Sequence, residues 1–134
     1  MSKKLALAIL CTIHVLGMLG APYAASLHLH QEGSSAHQNF HVVWEACKYF
    51  TASLLAFLIV IFPLRRGERW ARWALLGGTI VMFGGVFLSD ALTGGSPPVD
   101  NYSYGSFLVL SLVALALLPA SRATSGTTMT SGRT

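Results

Sequence analysis

Along the chain, apolar residues gather into four long runs: about Leu5 to Ala25, Val42 to Phe62, Trp70 to Leu88 and Tyr104 to Leu118. Each approaches the ~20 residues that a helix needs to cross ~30 Å of hydrocarbon, the last being somewhat short. The pattern predicts an all-α fold, an integral membrane four-helix bundle filling residues 1–120. It leaves almost nothing for a soluble domain. The stretches between the runs are polar or turn-forming. Gly33, Ser34 and Ser35 mark a turn, after which Ala36 to Asn39 wind a pre-helix into the second span. Pro63 ends that span, and Gly67 allows a tight turn into the third, so spans two and three form an antiparallel hairpin. Pro97 and Pro98 rule helix out of the loop before the fourth span. The small, polar tail at 121–134 is expected to be disordered in the cytoplasm.

Small residues suggest which faces pack. The third span repeats a Gly-Gly pair after seven residues, at Gly77/Gly78 and Gly84/Gly85, so Ala71, Ala74, Gly78, Gly85 and Ser89 share a face that a neighbouring helix can approach closely. On that reading the third helix is the centre of packing. The first span carries Leu7, Cys11, His14, Met18 and Ala21 on one face, with Gly17 beside it. It has a basic start and small residues near Ala24 and Ala25, as a signal peptide does, but its apolar run is long and has a histidine at its centre, so it is read as retained.

Composition supports a membrane protein: 53% of residues are hydrophobic and 10% charged, against roughly a quarter charged in ordinary soluble domains. The net charge of +4 would suit a nucleic-acid partner, but the placement of the basic residues excludes that reading. Lys3 and Lys4 precede the first span, Arg65, Arg66, Arg69 and Arg72 lie at the hairpin, and Arg122 and Arg133 follow the fourth span, whereas the loops from Ser26 to Phe40 and from Ala91 to Ser103 hold no Lys or Arg. That asymmetry puts both termini in the cytoplasm of a bacterial-type inner membrane and leaves two loops outside. The partner implied first is the lipid bilayer, and the chain's small size points to a homo-oligomer or a larger membrane complex. Trp70 and Trp73 beside Arg69 and Arg72 form an interfacial anchor, as Tyr102 and Tyr104 do on the other side. Cys11 and Cys47 lie at different depths and read as free thiols.

Candidate chemistry begins in the second span. His41, Glu45 and Lys48 fall at i, i+4 and i+7, so in a helix they share a face that Ala52 and Ala56 continue. Ionisable groups inside a span are costly and mark functional sites by default. Counting ~1.5 Å per residue from the outer surface, Glu45 lies ~6 Å down, Lys48 ~10 Å and His14 ~13 Å, with Asp90 and His41 near the rim. These groups are expected to line one outward-facing crevice between spans one, two and three.

Three readings of the polar residues compete. The outer histidines, His28, His30, His37 and His41, could hold a transition metal or haem, with Glu45 as a further ligand or support. His14, Glu45 and Lys48 could handle protons or bind a small ligand, a quinone fitting a crevice lined by Trp44, histidine and lysine. In the third reading they are architectural: Glu45 and Lys48 pair along the helix, and His14 hydrogen-bonds across the bundle. No nucleophile–base pair or phosphate loop appears, which argues against an enzyme.

The hairpin sequence RRGERWARWALL, following a span that ends in Pro63, resembles small four-span bacterial inner-membrane proteins, including the DoxX-like group. The resemblance covers roughly the middle half of the chain. It implies quinone- or thiol-linked redox partners and transfers no functional residue.

Overall fold

The computed structural model describes residues 2–29, 31–93 and 98–119. Among them the chain is all-helical: α1 runs Lys3–His28, α2 Ala36–Ile59, α3 Arg69–Thr93 and α4 Pro98–Ala116, and a π-helical turn, Val60–Leu64, extends α2. Three stretches, Lys3–His28, Ala36–Leu64 and Arg69–Ser89, are long and apolar enough to cross a membrane, and Tyr102–Ala116 is a shorter apolar helix. Their outer faces are apolar too: Leu19 and Val81 are 66% and 76% exposed. A helix on the surface of a soluble protein would set polar residues there.

Local chemistry sets the helix boundaries. The Ser2 hydroxyl caps α1 by accepting from the Leu5 N–H at 3.3 Å. Ser35 and Gln38 form a full capping box at the start of α2, the Ser35 hydroxyl accepting from the Gln38 N–H at 3.2 Å and the Gln38 carboxamide oxygen accepting from the Ser35 N–H at 2.7 Å. The pre-helix therefore belongs to α2 from its first turn. Gly33 and Gly67 adopt φ of +86° and +89°, a left-handed conformation that only glycine takes at no steric cost. At Gly67 the Glu68 N–H reaches the Pro63 carbonyl and the Gly67 N–H the Leu64 carbonyl, both at 3.0 Å, which is the Schellman closure of a helix.

The prolines act differently from the sequence expectation. Pro63 does not end α2: the backbone relaxes into a π turn around it, which relieves the clash of the ring with the preceding turn. As the first apolar run implies, α1 continues through Pro22, to His28. Pro98 does not exclude helix either. It is the first residue of α4, where its missing N–H would have had no helical partner. The tail at 121–134 lies outside the described residues.

The helices form a ring in which each packs on the next and α1 closes against α4, while α1 and α3, and α2 and α4, face each other across the diagonals. Buried positions recur at helical spacing: Ala6, Leu10 and Ile13 on α1; Ala71, Leu75, Thr79 and Phe83 on α3; Ser111, Ala114 and Leu115 on α4, with Leu118 just past its end. The core proper joins Ala6, Leu10, Val60, Leu64, Ala71, Leu75, Ala114, Leu115 and Leu118. It sits at one end of the bundle, the end rich in Lys and Arg. There Lys3 Nζ donates to the Arg65 carbonyl at 2.9 Å, and Arg72 donates to the Ala116 and Leu118 carbonyls at 3.2 and 3.3 Å, closing the C-terminus of α4.

Close backbone packing occurs elsewhere than the glycine pairs suggest. A Cβ added at Gly77, Gly78 or Gly85 would meet nothing within 4 Å, so α3 is not the centre of packing. The tight contact is between α1 and α2, where a Cβ on Gly17 would come within 2.4 Å of the Ser53 hydroxyl.

Candidate functional site

With the core confined to the basic end, the middle of the bundle is left underfilled. A cavity of ≈ 210 Å³ lies between α1, α2 and α3, lined by His14, Ala52, Leu55, Ala56, Ile59, Ala74, Leu75, Gly78, Thr79, Met82 and Phe83. Its wall is apolar except for the His14 imidazole and the Thr79 hydroxyl. Small side chains at 52, 56, 74 and 78 make the space. Leu55, 56% exposed, stands at its margin, so the cavity opens sideways through the bundle's outer surface between α2 and α3.

His14 is the unusual group. It is 3% exposed, and neither ring nitrogen has a hydrogen-bond partner. The expectation that it bonds across the bundle is therefore not met. A neutral imidazole offers one donor and one acceptor, and leaving such a buried polar group unpaired costs about 1–3 kcal/mol. Packing does not require the ring, since Leu10 and Ile13 bury the same face of α1 with no such penalty. An imidazole held dry on the wall of an apolar cavity can donate to, or accept from, one polar atom of an otherwise apolar guest.

Glu45 and Lys48 do not join it on that wall. They pair with each other along α2, with side chains 50% exposed. Lys48 lies one turn before Ala52, so the polar stripe of α2 ends where the cavity wall begins. Ala52 and Ala56, which continue that stripe, do face the cavity. The expected crevice thus separates into a half-exposed ion pair and a buried imidazole further down. Asp90 falls within α3, but its side chain lies outside the described residues, as does His30.

The outer histidines also separate. His28 Nδ1 accepts from the Gln31 carboxamide at 3.2 Å in the last turn of α1. His37 and His41, one turn apart at the start of α2, meet directly: their Nε2 atoms are 3.1 Å apart and their rings stand edge to face with centroids 4.5 Å apart. Phe40 packs on His41, and Trp44 stacks on Phe40. Among the described residues no group of three or more His, Cys, Asp or Glu side chains is placed to hold a metal. Cys11 and Cys47 are free thiols.

Thr79, Met82 and Phe83 were not singled out by sequence. For Thr79 and Phe83 the signal was the i, i+4, i+8, i+12 series Ala71, Leu75, Thr79, Phe83, which identifies the inward face of α3 more faithfully than its glycines do. Comparison with protein-family models, curated proteins and solved structures finds no match to this chain.

Proposed function

We propose that this chain is an integral membrane four-helix bundle, with its basic end and both termini in the cytoplasm, that binds a small apolar ligand at His14 by way of the bilayer. The observation that carries the reading is the buried, unpartnered imidazole on an otherwise apolar cavity wall. The ligand class it favours is a quinone-type ring: flat, apolar, soluble in lipid, and bearing a carbonyl that accepts from an imidazole N–H. At ≈ 210 Å³ the cavity is smaller than the ~300–1,000 Å³ pockets that enclose drug-sized ligands, so it suits a single ring and not a haem. The sideways opening lets an isoprenoid tail remain among lipid chains. The likeness of the hairpin to the DoxX-like group points the same way, toward a quinone-linked role as a binding or accessory protein. The basic residues at the cytoplasmic end match the positive-inside pattern and add contact with anionic lipid.

The test is calorimetric titration of a short-chain ubiquinone analogue into the protein in mild detergent, with two variants beside it. His14→Leu removes the polar atoms while keeping bulk; it should weaken binding by about tenfold, the equivalent of ~1.4 kcal/mol and within the range of one net hydrogen bond. It should also raise the stability of the ligand-free protein, because an orphaned polar group has gone. Gly78→Leu keeps His14 and fills the space, and should abolish binding. Saturable binding that is indifferent to both variants, or no binding by the parent protein, overturns the reading.

A further inference from the structure

Far from the cavity, the first two turns of α2 build a second arrangement that ligand binding at His14 does not use. The capping box at Ser35 and Gln38 fixes the helix start, so His37 and His41 project from one face with the i, i+4 spacing that stacks side chains one above the other. Surface histidines at this spacing are ordinarily free to swing apart in solvent. Here both turn the same nitrogen inward, Nε2 to Nε2, at 3.1 Å. A tetrahedral zinc ion with Zn–N bonds of about 2.0–2.1 Å needs two imidazole nitrogens about 3.3 Å apart, so the existing separation is within a few tenths of an ångström of the metal-bound one. Phe40 against His41, with ring centroids 5.7 Å apart, and Trp44 stacked on Phe40 restrict the swing of that ring.

We infer that His37 and His41 chelate a divalent transition-metal ion, zinc or copper, between their Nε2 atoms, with water in the remaining positions. Borderline metals favour neutral imidazole, and no other metal-binding side chain joins the pair among the described residues, so protein ligands would occupy only part of the coordination sphere. The proton balance is simple. One imidazole at present donates its Nε2–H to the other; on binding, that proton moves to Nδ1 of the same ring, and both Nε2 lone pairs face the ion without net proton release. The open positions make this a site that acquires and passes on a metal, in contrast with the closed coordination of a structural ion. It stands at the mouth of the α1–α2 connection, exposed, independent of the cavity and of what fills it.

The test uses the full chain, free of any affinity histidines, in mild detergent. Zn²⁺ is titrated against a chromophoric chelator, and Cu²⁺ is followed by the nitrogen hyperfine splitting in its electron paramagnetic resonance spectrum. One ion per chain is expected. His37→Ala and His41→Ala should each weaken zinc by at least about tenfold, the lower bound for loss of even an outer-shell partner. Each should also reduce the copper spectrum from two coupled nitrogens to one. Alanine is the better helix former, so α2 should persist in both variants, as circular dichroism would verify. His28→Ala should leave binding unchanged. Affinity unaffected by either α2 variant, affinity lost equally with His28→Ala, one ion per two chains, or no binding by the parent protein would each overturn the inference.

Discussion

The two ends of this bundle are built on opposite principles. At the basic end all four helices contribute to one core: Leu10 is fully buried and belongs to a cluster with Val60, Leu64, Leu75 and Leu115, and charged side chains tie the helix ends to one another. Toward the middle and the histidine end, α1 still grips α2 through Gly17 and Ser53, but α3 packs on α4 and stands off from α1. A Cβ at its Gly77, Gly78 or Gly85 would meet nothing within 4 Å, and a cavity holds an imidazole without a partner. Hydrophobic packing is saturated in one half and withheld in the other. A protein needing only to stand in a membrane gains nothing from the second half. The underfilled space is affordable because the basic end carries the fold.

The largest expected effect breaks that contrast directly. Leu10→Ala removes a fully buried side chain from the joint of four helices and should cost about 2–5 kcal/mol. Leu55→Ala, the same truncation at the open margin of the cavity, should cost well under that, because its side chain is already mostly out of the packing. Unfolding both variants in mixed micelles of mild and denaturing detergent would compare them. Equal losses would mean that the middle of the bundle bears as much of the fold as the basic end.

Next in size are the glycines. Gly17→Ala drives a methyl group to within 2.4 Å of the Ser53 hydroxyl and should cost about 1–3 kcal/mol by overpacking. Combining it with Ser53→Gly should recover most of the loss, since the obstacle is that one side chain. Gly78→Ala meets no atom within 4 Å and should be neutral or stabilising by up to about 1 kcal/mol through helix propensity. The same micelle unfolding series reads all three. A destabilised Gly78→Ala would indicate that α3 is closely approached after all, by a surface other than this chain's own helices.

These pairs also explain what could be read in advance. Four helices, their approximate positions and the clustering of basic residues at one end follow from run length and charge, which are local properties of the chain. The turn at Gly67 and the helical lead-in after Ser35 were legible for the same reason, since each rests on residues adjacent in sequence. The cavity was legible only in pieces. His14, Ala52, Ala56 and Gly78 were marked as polar or small, but a small residue permits close approach without stating that a neighbour comes. Gly17 and Gly78 look alike in sequence and differ completely in surroundings, because the difference lies in which helix stands opposite. Glu45, Lys48 and His14 were expected to line one crevice, but of the three only His14 lines the cavity, because the α2 wall begins at Ala52, one turn past Lys48. Proline was over-read as a helix breaker, although position 98 begins a helix and position 63 sits within a π-helical turn.

The smallest expected effect concerns the ion pair on the histidine side of the cavity. Glu45 and Lys48 are joined along α2 and half exposed, where a helix pair three residues apart contributes about 0.3–0.5 kcal/mol if water or headgroups surround it. In hydrocarbon the balance differs, because deleting one partner strands the other, and a charge at a span's centre costs about 2.5–3.5 kcal/mol on insertion scales. α2 begins at Ala36, and the apolar run begins only at Val42, so Glu45 stands within one turn of the start of that run and the headgroup value is the one expected. Lys48→Gln should therefore cost no more than about 0.5 kcal/mol, and Glu45→Gln/Lys48→Gln no more than the single change. A single-variant loss several times larger, relieved in the double variant, would place this flank of α2 deeper in the bilayer and restore it as a candidate site beside His14.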